Sequence, residues 1–240
     1  MDKKLLIMNR KSYEQQLENN LSKFKDVDGT IENIIFDGIV DIDKYLDAPI
    51  KILWILKEVN SADIDWDLRD ALNNDIKSET GLKNGWSNTL TPVVYTTLGI
   101  LNGEDWHTMG DFTINPELIN CMQEVAYINV KKVGGGSQAS HQEIQSFYEL
   151  NKEALHEQIN LINPEVIIFG NTLNYFDWAW LKHTFEIELE DESNQNLHIY
   201  SGKKHLLLHA YHPNNRRITH QVYCDTILQA VKDWKLKFKD

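Results

Sequence analysis

The sequence predicts an α/β fold: three layers, αβα, around a central, mainly parallel sheet of four strands. Three observations carry that expectation. Four short apolar runs, at residues 50–56 (IKILWIL), 125–130 (VAYINV), 165–169 (EVIIF) and 205–210 (HLLLHA), have the length and aliphatic content of strands buried on both faces. Segments with helical spacing lie between them, and such alternation runs the strands parallel with helices above and below. Finally, 240 residues without a repeat or a low-complexity linker fit one domain, 1–240, which buries roughly 70–75% of its unfolded surface.

Taken in order, residues 12–24 place Leu17, Leu21 and Phe24 on one helical face behind a possible Ser12 cap. The first strand run follows Asp47-Ala48-Pro49. Thr91-Pro92 opens a helix over 91–101, with Val94, Leu98 and Leu101 on one face, and Asn115-Pro116-Glu117 opens a short one. Ser140-His141-Gln142-Glu143 is a capping box ahead of Ile144, Phe147, Tyr148, Asn151, Leu155 and Ile159, and Asn163-Pro164 ends that helix. Gly170 closes the third strand, and Thr172 to Leu181 reads as a short aromatic helix. Residues 185–189 and 197–200 alternate around an acidic turn and read as a surface hairpin inserted at about 184–203. The last helix, 219–236, turns Val222, Ile227, Val231 and Trp234 inward.

Bulk composition narrows the classes. Hydrophobic residues make up 42% and charged ones 25%, an ordinary globular balance. Cys121 and Cys224 form no CxxC pair, which excludes a four-cysteine zinc or iron–sulfur site; no metal or cofactor is expected, and low cysteine use fits a reducing cytoplasm. The N-terminal apolar stretch, Leu5 to Met8, is too short for a signal-peptide core, and no run approaches the ~20 apolar residues of a membrane span. A net charge of −12 argues against a general nucleic-acid coat protein but permits a local basic face at Lys131-Lys132 or Arg216-Arg217.

In open parallel sheets, ligands bind beyond the carboxyl ends of the strands. There the polar signals collect: Lys57-Glu58-Val59-Asn60 after the first run, Asn129 and Lys131-Lys132 at the second, Gly170-Asn171 after the third, and His212-Pro213-Asn214-Asn215-Arg216-Arg217 after the fourth. Heterolysis of a glycosidic bond needs a carboxylate near the sugar and a hydrogen-bond donor near the leaving base, and both kinds are present. An Asn carboxamide, with one donor and one acceptor side, can read a pyrimidine edge. His205 and His209, four apart in a strand, face alternate sides and do not read as a metal pair.

These segments, ILKEVN, AYINVKK, NPEVIIFGN and LHAYHPNNRR, resemble, in order, the motifs of the uracil-DNA glycosylase superfamily over residues 50–217. The resemblance implies a DNA glycosylase that flips a base into a pocket, cuts it from its sugar and leaves an abasic site. It implies Glu58, Asn60 and His212 as catalytic residues, with either Glu58 or Asn60 positioning water. It implies Asn129, Trp86 and Asn171 at the base, and Lys131, Lys132, Asn214, Asn215, Arg216 and Arg217 at the DNA. The chain departs from the family where Lys57 replaces a glycine, Asn60 a proline and Asn214 a serine, and it has no iron–sulfur cysteines. Uracil and an enlarged, modified pyrimidine both stay open as substrate, as do base-excision repair and defence against phage DNA. The partner expected is DNA, with no membrane, and the protein is expected to be a monomer. Two other readings stand beside it: an inactive DNA- or nucleotide-binding module of the same fold, and an N-glycosidase acting on free nucleosides or nucleotides.

Overall fold

The computed structural model describes residues 3–60, 66–136, 138–189 and 195–238, with side chains from Arg10 onward. Helix α1 (Lys3–Leu21) precedes a two-residue strand, β1 (Gly38–Ile39), and α2 (Ile42–Asp47), whose cap Asp41 accepts the Lys44 N–H at 3.1 Å. Strand β2 (Ile52–Leu56) follows. The short α3 (Leu68–Asp70) runs into a π-turn at Ala71–Asp75, and β3 (Lys77–Ser78) and β4 (Gly81–Leu82) make a small hairpin. Next come α4 (Ser87–Asn102), a 3₁₀ helix at Pro116–Glu124, β5 (Val125–Asn129), α5 (His141–Ile162) and β6 (Val166–Gly170). A 3₁₀ turn at Leu173–Tyr175, α6 (Trp178–Thr184), β7 (Leu197–Ser201), β8 (Leu206–Ala210) and α7 (His220–Phe238) complete the chain.

The sheet has six strands in the order β1-β5-β2-β6-β8-β7. The four predicted runs form its centre, all parallel, and β1 and β7 add antiparallel edges. The expected four strands thus become six. β1 is too short to leave a periodic signal. The second arm of the predicted surface hairpin pairs along the whole of β8, from Leu197 opposite Ala210 to Ser201 opposite Leu206, and so forms an edge of the sheet. Among the described residues of the first arm, Leu189 is bridged to Ser201 and Glu188 donates its N–H to the Ser201 carbonyl at 3.0 Å; residues 190–194 of the acidic turn lie outside the described residues.

Alternation along the strands splits the core into two layers. Ile52, Trp54 and Leu56 face Val93, Val94, Tyr223 and Trp234 of α4 and α7, whereas Leu53 and Ile55 share the opposite layer with Phe147, Tyr148 and Leu155 of α5. Burying each large apolar side chain stabilises the fold by about 1.5–3 kcal/mol over leaving it exposed. Two polar side chains inside are paired: Trp54 Nε1 donates to Thr97 Oγ1 at 3.1 Å, and Thr172 Oγ1 donates to the Ile55 carbonyl at 2.8 Å.

The capping box at Ser140 forms, its hydroxyl accepting the Glu143 N–H at 3.3 Å, and Asn163 ends α5 in the left-handed conformation, φ 49°. Three helix expectations change. α4 begins at Ser87 and carries Pro92 inside, so one turn of helix precedes the proline, at the loss of the hydrogen bond its N–H would make. The aromatic segment is split, because Asp177 caps a new helix by accepting the N–H groups of Ala179 and Trp180. Val222, expected inward, is 41% exposed; Tyr223 and Cys224 turn in instead. α4 and α7 pack closely at Gly99, where an ideal Cβ would lie 2.7 Å from both terminal carbons of Leu228.

Candidate active site

Because β5, β2, β6 and β8 are parallel, their carboxyl ends share one rim. A cavity of about 810 Å³ opens there. Glu58, Asn60, Trp86, Asn129, His212 and Asn214 all line it, so six expected site residues, drawn from segments up to about 150 residues apart, meet in one place.

Glu58 follows β2 and its side chain is only 4% exposed. Its carboxylate is paired with Lys131 Nζ at 2.7 Å, and Lys131 also reaches Glu143 at 3.0 Å. Burial works against the Lys131 charge, but the two carboxylates outweigh it and raise its pKa. The carboxylate lies directly over Gly135: a Cβ built there would sit 2.1 Å from Glu58 Cδ. Gly135 also bridges Asn60 and donates its N–H to the Val59 carbonyl at 2.8 Å. Gly135→Ala should therefore displace the carboxylate, and a reaction that uses it should slow by roughly 10²-fold, the usual consequence of an ångström-scale misplacement. Gly136→Ala, where a Cβ meets nothing within 4 Å, should stay within about twofold. Comparing the single-turnover rates of the two variants checks both statements.

Asn129 ends β5 and is 3% exposed. Its backbone is held by a buried pair: Asp37 Oδ2 accepts the Asn129 N–H at 2.8 Å, while Lys132 Nζ donates to Asp37 Oδ1 at 2.5 Å and to the Asn129 carbonyl at 3.2 Å. The Asn129 carboxamide has no hydrogen-bond partner among the described residues and lines the cavity. Lys132, expected at the DNA face, is instead 1% exposed and lies over the Phe24 ring, 4.6 Å from its centroid. Adjacent residues leaving a strand point opposite ways, so only one member of the Lys131-Lys132 pair can face outward.

His212 follows β8. Its Nδ1 accepts the Asn214 N–H at 3.1 Å, so the ring proton of the neutral form sits on Nε2. Burial, and secondly the charge of Lys57, push its pKa down to about 4. His156, stacked on Trp180 at 3.5 Å and bonded to the Tyr148 hydroxyl, is likewise lowered to about 4, chiefly by burial. Both folded-state values lie below the unfolded value of roughly 6.5, so the unfolded chain binds more protons between the two. Stability should be full above pH ~6.5 and decline as the pH falls toward ~4. Urea midpoints measured across that window should drop, and His156→Gln should flatten the drop.

The remaining expectations divide. Asn171 is not brought to the cavity: it is exposed, with φ 61°, and its N–H bonds to the Phe169 and Ala210 carbonyls. It serves the left-handed turn that ends β6, a conformation asparagine tolerates well. The Asn215 carboxamide accepts the N–H groups of Arg217 and Ile218 at 3.0 and 3.1 Å, which shapes the loop. Arg216 and Arg217 are exposed beside the cavity loop, with the Arg217 guanidinium 5.6 Å from the Tyr211 ring centroid.

Several cavity residues were not anticipated. Trp66 meets Trp86 edge to face, with ring centroids 6.4 Å apart, and Asp75, Asn88 and Thr89 also line the wall. A tryptophan outside any apolar run was the available signal for Trp66; Asp75 in its π-turn offered none. Among the described residues no group of three or more His, Cys, Asp or Glu is placed to hold a metal ion, and no helix is long and apolar enough to cross a membrane.

The structure is similar to the crystal structure of wild-type UNG, a uracil-DNA glycosylase, from Nitratifractor salsuginis. Identity is 16% and the TM-score 0.36, over 79% of this chain and 71% of that one. No protein-family model matches the chain, and no curated protein does.

Proposed function

We propose that the protein is a DNA glycosylase that hydrolyses the N-glycosidic bond of a flipped pyrimidine nucleotide and leaves an abasic site. What supports this most is one cavity that combines a buried carboxylate, a free carboxamide, a neutral imidazole donor and a flat indole at the ends of parallel strands. In this reading the C1′–N bond breaks with both electrons going to the base. The positive charge left on the sugar faces Glu58, and the negative charge on the base spreads to a ring oxygen that accepts the Nε2–H of His212. Water positioned by Glu58 or Asn60 adds to C1′ and gives its proton to Glu58. The base anion then takes up a proton from solvent and leaves neutral, and Glu58 returns its proton to solvent, so one water is consumed overall and the carboxylate is restored. Asn129 pairs with the base edge, Trp86 stacks on its face, and Asn214, Arg216 and Arg217 meet the strand.

The cavity volume, about 810 Å³, lies toward the upper end of ligand pockets and exceeds what a bare pyrimidine fills. That favours a pyrimidine carrying a substituent over uracil itself, and with it a role against modified phage DNA over general repair. The net charge of −12 favours a second reading, in which free nucleosides or nucleotides are the substrates. Oligonucleotides containing uracil, other deaminated bases or enlarged cytosines, treated with protein and then alkali, separate these. Strand breaks at one of those bases are expected. Intact strands throughout, together with base release from nucleosides, would transfer the reaction to the second reading.

A further inference from the structure

We propose that Lys57 is a further catalytic residue, its ammonium sharing with His212 the negative charge of the departing base. This rests on the base-excision reading above. Lys57 directly follows β2, whose last residue Leu56 pairs with Asn129. In the sheet order β5-β2-β6-β8, the end of β2 lies between the Asn129 end and the His212 end. β6 stands between β2 and β8, but its terminal residue is Gly170. A Cβ on Gly170 would lie 2.1 Å from Leu56 Cδ2 and 3.1 Å from Pro213 Cδ. The missing side chain therefore lets the His212-Pro213 loop close down on the end of β2. As a result the Lys57 charge reaches His212 strongly enough to be the second cause, after burial, of its lowered pKa.

The charge census points the same way. Lys131 is taken up by Glu58 and Glu143, and Lys132 by Asp37. Among the described residues Lys57 has no ion-pair partner, and it is the one lysine or arginine lining the cavity. His212 is neutral near pH 7 and offers a dipole, not a full charge. When the C1′–N bond breaks, a full negative charge appears on the base, and a nearby ammonium in a partly desolvated cavity stabilises it far more than it stabilises the neutral substrate. Lys57 itself neither gains nor loses a proton in this step; it only faces the charge.

The test uses the whole protein and its Lys57→Met and Lys57→Arg variants, with barbiturate, a pyrimidine already anionic at neutral pH, and uracil, a neutral one. Calorimetric titration should show barbiturate affinity falling roughly ten- to hundredfold in Lys57→Met, the usual worth of a charge-assisted hydrogen bond. Uracil affinity should change little, and Lys57→Arg should retain most of the barbiturate preference. Single-turnover excision should fall in parallel with barbiturate affinity. Equal barbiturate binding by wild type and Lys57→Met overturns the assignment, as does failure of the wild type to bind barbiturate. So does a variant that loses only oligonucleotide affinity and salt dependence, which marks a phosphate contact. If no oligonucleotide or nucleoside is cut but the barbiturate difference stands, the excision reading fails and the anion site remains. If excision proceeds at an unchanged rate in Lys57→Met with barbiturate bound equally, only the role of Lys57 fails.

Discussion

On the proposed excision, replacing His212 with alanine is expected to slow base release by roughly 10²–10³-fold in single-turnover assays, the usual cost of removing one preorganised donor to a developing oxyanion. The expectation follows from three features. The Asn214 N–H occupies Nδ1 and so assigns the proton to Nε2. The ring lines the same cavity as Glu58 and Asn60. And its pKa of about 4 keeps it neutral across the physiological range, so the excision rate should show no step from this group between pH ~5 and ~8. Substrate affinity should change far less than the rate, because the developing charge exists only in the transition state. His212→Asn, which restores an N–H donor on a shorter arm, should recover part of the loss. A rate within about fivefold of wild type in His212→Ala would remove the residue from the leaving-group role.

The largest effect on stability should come from Asp37→Ala. Its carboxylate is 1% exposed and serves three donors: Lys132 Nζ, the Asn129 N–H, and Gln158 Nε2 at 3.0 Å. Removing it strands the Lys132 ammonium, which is fully buried and whose pKa burial already lowers. Breaking one side of such a pair costs about 3–5 kcal/mol. For a chain of this size that corresponds to a fall in Tm on the order of 10 °C. The double variant Asp37→Asn with Lys132→Met replaces the charges by neutral groups of similar shape, and should regain much of the loss. A fall of less than about 3 °C in the single variant would show that the pair is solvated. Since Asp37 also fixes the Asn129 backbone, Asp37→Asn should loosen base recognition even where it folds.

What could be read from the sequence tracks how strongly each residue's role is written locally. The four central strands are buried on both faces, so their aliphatic runs announce them, and the parallel order follows from the helices between. Once the strands are parallel, the polar residues immediately after them must share a rim, which is why Glu58, Asn60, Asn129 and His212 could be named together. Lys132 could not be told from Lys131, because its partner Asp37 is 95 residues away and sits next to a two-residue strand with no periodicity of its own. Asn171 was misplaced because a left-handed turn after a glycine and a base-reading carboxamide call for the same residue type. Trp66 and Asp75 belong to a stretch of turns where local pattern carries no direction, and only the tertiary fold turns them toward the cavity.

The close packing at Gly99 reaches well beyond the two helices that meet there. α4 begins with Asn88 and Thr89 on one wall of the cavity, and α7 begins just after the loop bearing His212 and Asn214 on another. Gly99 lies eleven residues, or about 16 Å, along α4 from Asn88, and Leu228 eight residues, or about 12 Å, along α7 from His220. The two helices are the limbs of a caliper whose pivot is set by a single hydrogen atom in place of a methyl group. The distance between the jaws is gauged about 12–16 Å along the helices from the cavity, so a change in what the protein can grip need not touch the site that grips it.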